Sequence, residues 1–135
     1  MYDKILVPIA FDEDHDGHRA VAVARALANP GARITLLHVM DEVPGYAISY
    51  LPQDFRDESR AAVTEAMSVY AEGMEDGHVA VVEGHPGRKI TEWAEDHGTD
   101  CIVISSHRPG LQDYFLGSTA SRVVRHTTCA VHVLR

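Results

Sequence analysis

Five short apolar runs, separated by stretches with helical spacing, constrain this chain more than any other feature. The runs are residues 4–11 (KILVPIAF), 33–40 (RITLLHVM), 78–83 (HVAVVE), 101–105 (CIVIS) and 129–134 (CAVHVL). Most are too continuously apolar for a strand with one wet face, and suit parallel strands covered on both sides. Between them the apolar residues recur at helical intervals. Residues 18–28 place Val21, Ala24, Leu27 and Ala28 on one face, and Asn29-Pro30-Gly31 stops the pattern. Residues 54–74 offer Phe55, Ala62, Ala66, Met67 and Tyr70; residues 88–97 offer Ile90, Trp93 and Ala94; residues 117–126 form the last helix. Residues 41–53, with two prolines and two tyrosines, read as a loop. Strands alternating with helices imply right-handed βαβ units. The expected fold is therefore α/β: one open five-stranded parallel sheet with about four helices on its two faces, in a single domain over residues 1–135.

Composition narrows the partners. A net charge of −8 opposes nonspecific approach to nucleic acid or an anionic membrane, while leaving a small anion subject to the local field. The opening residues read as a strand rather than a signal peptide, and no run is long enough to span a bilayer. Cys101 and Cys129 form neither a CxxC pair nor a disulfide framework, so free thiols in a reducing cytoplasm are expected.

In an open parallel sheet, ligands bind beyond the carboxyl ends of the strands, where the strand order reverses. Three segments meet that description: Pro8 to Asp12, Val39 to Glu42, and Ser105 onward. The third is the most specific. Ser105-Ser106-His107-Arg108-Pro109-Gly110 leaves a buried strand, and Leu116-Gly117-Ser118-Thr119 opens a helix. A helix start offers free N–H groups and the positive end of its dipole to a phosphate. Gly117 lets an anion come close, Ser118 and Thr119 add hydroxyls, and His107 and Arg108 can add positive charge. The plainer alternative is that Ser118 caps the helix and Arg108 is a solvated loop residue.

Other chemistries are not signalled. The GxxxxGK[ST] and GxSxG patterns are absent, and no glycine-rich turn follows the first run. His126, Cys129 and His132 have a metal-like spacing, but Cys129 and His132 fall on opposite faces of a strand. Asp41 and Glu42, after the second run, are the residues that could hold a nucleotide-bound Mg²⁺, or they are simply solvated.

The segment ISSHRPGLQDYFLGSTASRVVRHTTCAVHVLR resembles the C-terminal signature of the universal stress protein family. KILVPIAF, ITLLHVMDE and EGHPGRKITEWAEDHGTDCIVIS are similar to the family's other elements in the same order. The resemblance implies a Rossmann-like fold of the adenine-nucleotide alpha-hydrolase type, bound ATP, and a homodimer built through the last strand, with tetramers as an extension. It also implies a Gly-x-x-Gly motif followed by Gly-Ser. Gly117 and Ser118 match the end of that motif, but Ser105 and Arg108 stand where its first two glycines fall. These departures resemble the subgroup in which SHRP replaces SHGR, where nucleotide is also bound. A second departure is Ala10, which stands where the family's first strand usually carries an adenine-side aspartate. Ile9, Ala10 and Val39 are left to read the base through their backbone, with Pro8 beside them among the expected nucleotide-binding residues. The expected role is a small cytoplasmic ATP-binding stress or signalling module, since no general base or water-positioning residue is evident. The alternatives are a nucleotide-free interaction protein acting through dimerisation, and a slow ATP hydrolase.

Overall fold

The structure, a computed structural model, describes residues 1–11, 17–74, 77–106 and 116–135. In chain order the elements are β1 (Tyr2–Pro8), α1 (Gly17–Leu27), β2 (Ala28–Met40), α2 (Gly45–Ile48), α3 (Gln53–Tyr70), β3 (Gly77–Glu83), α4 (Pro86–Asp96), β4 (Cys101–Ser105), α5 (Ser118–His126) and β5 (Ala130–Leu134). The strands form one sheet in the order β3-β2-β1-β4-β5, and every pairing is parallel. This is the α/β sheet that the apolar runs demand.

The central strands show why those runs are continuous. In β1, Ile5, Leu6 and Val7 are all buried although their side chains alternate between faces. Ile5 and Val7 join a core with Ala20, Val21 and Ala24 of α1, Met67 of α3, and Leu36. Leu6 and Leu37 join a second core with Ile90 and Ala94 of α4 and Ala120 and Val123 of α5. Helices therefore cover both faces, with α1 and α3 on one and α4 and α5 on the other. Each fully buried Leu or Ile contributes roughly 1.5–3 kcal/mol, so the sheet centre carries most of the stability.

Several elements differ from the sequence expectation. β1 starts earlier and ends at Pro8, which has no N–H to continue a ladder. α1 gives way directly to β2 at Ala28. Asn29-Pro30-Gly31 lies inside the irregular start of that strand, where the register moves from Tyr2 opposite Ala28 to Lys4 opposite Arg33. Gly31 takes φ +79°, a conformation that side-chain-bearing residues resist. Residues 45–48, expected as loop, form the single turn α2.

The largest departure is in α3. Phe55 is 54% exposed, Ala62 and Ala66 are exposed, and of the expected stripe only Met67 is fully buried. The helix instead turns Val63, Met67 and Tyr70 to the core. Its N-terminal half is held to β3 by polar links. Arg56 pairs with Glu83 at 3.1 Å, and Arg60 Nη1 donates to the Val81 carbonyl at 2.7 Å.

Candidate functional site

Connections from β1 run through β2 to β3 on one side, and the chain then crosses back to β4 and β5 on the other. The strand order therefore reverses between β1 and β4, and beyond their carboxyl ends lies a cleft of about 220 Å³. Its floor is Leu37, Ile90 and Ile104, taken from the core beneath. Three helices begin at its rim: Gly17 is the first residue of α1, Pro86 the first of α4, and Thr119 the second of α5. The positive ends of three helix dipoles thus meet at one opening.

Of the residues singled out by sequence, Pro8, Ile9, Ala10, Val39, Ser105 and Thr119 line this cleft together. Gly117 and Ser118 stand beside it at the start of α5 but do not line it among the described residues. Ser106 is 3% exposed and ties the end of β4 to β5 and to the start of α5. Its N–H donates to the Leu134 carbonyl at 2.8 Å, and its carbonyl accepts from Gly117 N–H at 2.7 Å. His107, Arg108 and Gly110 lie outside the described residues, as does most of the SHRP motif.

The start of α5 differs from its plainer reading. Ser118 is not the cap; Gly117 is, and among the described residues no side chain caps the first turn. The N–H groups of that turn are therefore left for a ligand or water. Gly117 has φ −57° and ψ 155°, which any residue can adopt. Its backbone conformation thus does not explain the glycine, and a missing Cβ remains its relevant property. Ser105 and Thr119 make no side-chain hydrogen bond among the described residues, so both hydroxyls are available.

His38 is the residue that sequence reasoning missed. It lines the cleft, and its Nδ1 lies 2.7 Å from the Ile9 carbonyl oxygen. That oxygen can only accept, so Nδ1 carries the hydrogen. Ile9 N–H donates to the Leu37 carbonyl at 2.8 Å. Both backbone groups of Ile9 are consequently engaged. Phe11 packs on the His38 ring at 4.9 Å between centroids and extends to Tyr70. Tyr70 in turn lies over Gly17, where a Cβ would fall 2.6 Å from its ring. A side chain at position 17 would therefore need the Tyr70 ring to shift. A small residue preceding a helical pattern was the only sequence trace of this.

Among the described residues no group of three or more His, Cys, Asp or Glu side chains converges as a metal site. Cys129, expected on the strand, lies just before β5 and packs with Val131 and Val133 on the α4/α5 side, while His132 is exposed. Asp41 and Glu42 are exposed and do not line the cleft, so they do not fit a magnesium site there. Cys101, at the far end of β4, is buried, which pushes its thiol up to about 11 and keeps it protonated at neutral pH. Among the described residues no helix is long and apolar enough to cross a membrane.

Comparison with known proteins fits this geometry. The model of the universal stress protein family matches residues 1–135. Universal stress protein G of Salmonella typhimurium is 31% identical over 147 residues, covering all of both chains. The solved structure of hypothetical protein MJ0577, described as a structure-based assignment of biochemical function, superposes with a TM-score of 0.80. It is 27% identical, over 99% of this chain and 96% of that one. Two more distant structures share the fold. A universal stress protein in complex with cAMP has a TM-score of 0.69 and 20% identity, over 99% and 97% of the two chains. The Archaeoglobus fulgidus protein in complex with dAMP has a TM-score of 0.65 and 19% identity, over 99% and 98%. The chain belongs to the universal stress protein family.

Proposed function

We propose that this universal stress protein is a cytoplasmic module that binds an adenine nucleotide, ATP foremost, and acts through ligand-dependent assembly rather than rapid catalysis. The observation that carries the reading is the uncapped first turn of α5 at the rim of the switch-point cleft, beside two other helix starts. Phosphates lie against Ser118, Thr119 and the N–H groups of that turn, with Ser105 near the ribose. His107, Arg108 and Gly110 complete the phosphate side on this reading. The base enters between Ala10 and Val39, with His38 beside it. The cAMP and dAMP complexes of proteins with this fold support an adenine ligand. No Asp or Glu is among the described residues that line the cleft, so any Mg²⁺ in this reading comes with the nucleotide.

Assembly follows from β5, which is an edge strand and presents an unpaired ladder to a second copy. A twofold pairing there gives the homodimer, whose association into a tetramer is the further step. Val131 and Val133, half-buried in the single chain, are then covered further.

The test joins calorimetry with sedimentation. Titration with ATP-Mg²⁺ should show saturable binding, purified protein denatured for mass spectrometry should release co-purified nucleotide, and the sedimentation coefficient should change on saturation. A silent titration together with no released nucleotide rules the reading out and leaves the nucleotide-free interaction protein in its place.

A further inference from the structure

The opposite end of the sheet carries a second cleft, of about 200 Å³, whose lining differs in kind. It includes Lys4 of β1, Arg33 of β2, His78 of β3 and His97 just after α4, with Trp93 as its aromatic wall. No acidic residue lines it among the described residues, although the chain as a whole carries a net charge of −8. Lys4, Arg33 and His78 come from three adjacent strands and share one sheet face. Leu6, Leu37 and Ala80, each an even number of positions along its strand from Lys4, Arg33 or His78, all belong to the α4/α5 core.

Lys4 and Arg33 are direct register partners, so two full positive charges face the same way on neighbouring strands. Thr35 is in turn the partner of His78, which brings a hydroxyl and an imidazole next to them. Like charges placed side by side in a sheet repel. Neither Lys4 nor Arg33 forms an ion pair or a side-chain hydrogen bond among the described residues. The neighbouring carboxylate is already engaged: Asp100 Oδ2 accepts from Asp3 N–H at 2.9 Å and Oδ1 from Lys4 N–H at 3.0 Å. On the far wall, the Lys4 ammonium reaches the turn after α4, where a Cβ on Gly98 would lie 3.6 Å from Nζ. His97 stacks on Trp93 with centroids 3.9 Å apart and fixes its ring through Nδ1 and the Trp93 carbonyl, at 2.9 Å. The helix C-terminus offers Lys4 and His97 a local role, but it does not account for Arg33 or His78.

We propose that this second cleft binds a small phosphate oxyanion, with the Arg33 guanidinium and Lys4 ammonium as its counter-ions and Thr35 and His78 beside them. A guanidinium fork matches two oxygens of a phosphate, and a lysine beside it supplies the point charge. The proposal is independent of nucleotide binding at the other end.

Trp93 is the only tryptophan of the chain, so its fluorescence reports on this cleft directly. Intact protein is titrated with inorganic phosphate, with glycerol 3-phosphate, and with sodium chloride at matched ionic strength. A saturable emission change with either phosphate is expected, and the tighter of the two identifies a free ion or a phosphomonoester as the source. Arg33→Gln should weaken that response at least tenfold, and Lys4→Gln with Arg33→Gln should abolish it. Arg33→Lys, which keeps the charge but loses the fork, should fall between. Both positions are exposed, so the variants should retain the wild-type circular dichroism. A wild-type response that is linear, or equal to that of chloride, overturns the proposal without reference to any variant. So does an undiminished response in the folded double variant.

Discussion

The two ends of this sheet solve the same electrostatic problem by different means. The cleft at the carboxyl ends contains no Lys or Arg among its described lining residues; its positive character comes from three helix starts and their N–H groups. The cleft at the amino ends lies beside the end of α4, where the dipole is negative, and draws its positive character from Lys4 and Arg33. Backbone donors are fixed in place by the helices that carry them. Exposed side chains hold their charge on flexible stems and are screened by salt. In a chain of net charge −8, each device creates a local field opposite to the global one.

Substitutions can break this comparison at different levels. The largest effect is expected from Leu36→Ala, since Leu36 is fully buried in the strand next to the sheet centre. A loss of about 3–5 kcal/mol in chemical denaturation is expected, with both ligand responses weakened together as the folded fraction falls. Thr119→Glu should separate the ends. A carboxylate in the first turn of α5 suits the helix dipole but opposes a phosphate in the cleft. Nucleotide affinity should drop on the order of 100-fold, about 2.7 kcal/mol, by calorimetry, while the Trp93 response to phosphate stays as in the wild type.

The smallest effect concerns Cys101, at the amino end of β4. Its thiol is raised from 9.0 to about 11, first by burial and then by the charges of Cys129 and Asp100. The folded state therefore holds this proton where the unfolded state has lost it. The contribution to stability is complete below pH 9 and is lost as pH rises through about 11. Unfolding free energies measured across that window should fall less steeply in Cys101→Ala than in the wild type. An equal slope would assign the alkaline loss to other groups.

What the sequence made legible depended on whether a feature is local. The run CIVIS forms β4 at its expected boundaries, because a strand buried on both faces needs nothing beyond its own apolar residues. Pro8, Ala10, Ser105 and Thr119 meet in the cleft because strand ends and helix starts follow from the βαβ pattern. The parts that depend on how elements lie against each other were hidden. His38 looks like any residue of a buried strand until the β1–β2 register sets it against the Ile9 carbonyl. Gly17 has no local reason to be glycine; the Tyr70 ring that lies over it is far along the chain. The outward turn of Phe55, Ala62 and Ala66 was unreadable for the same reason. α3 rests on the sheet through Val63, Met67 and Tyr70 and is otherwise tied by Arg56 and Arg60. The adjacency of Lys4 and Arg33 likewise exists only once the two strands are in register.

The strand order also has a consequence for biosynthesis. Ile5 pairs with Cys101, and the phosphate side of the proposed nucleotide cleft comes from residues later still, in α5. As the chain emerges N-terminus first, β1, β2 and β3 can pair early, but one long edge of β1 waits for β4. A nascent chain therefore presents one edge of its central strand until β4 has been made. The last quarter of the chain, from β4 onward, closes the sheet and completes the cleft in the same step.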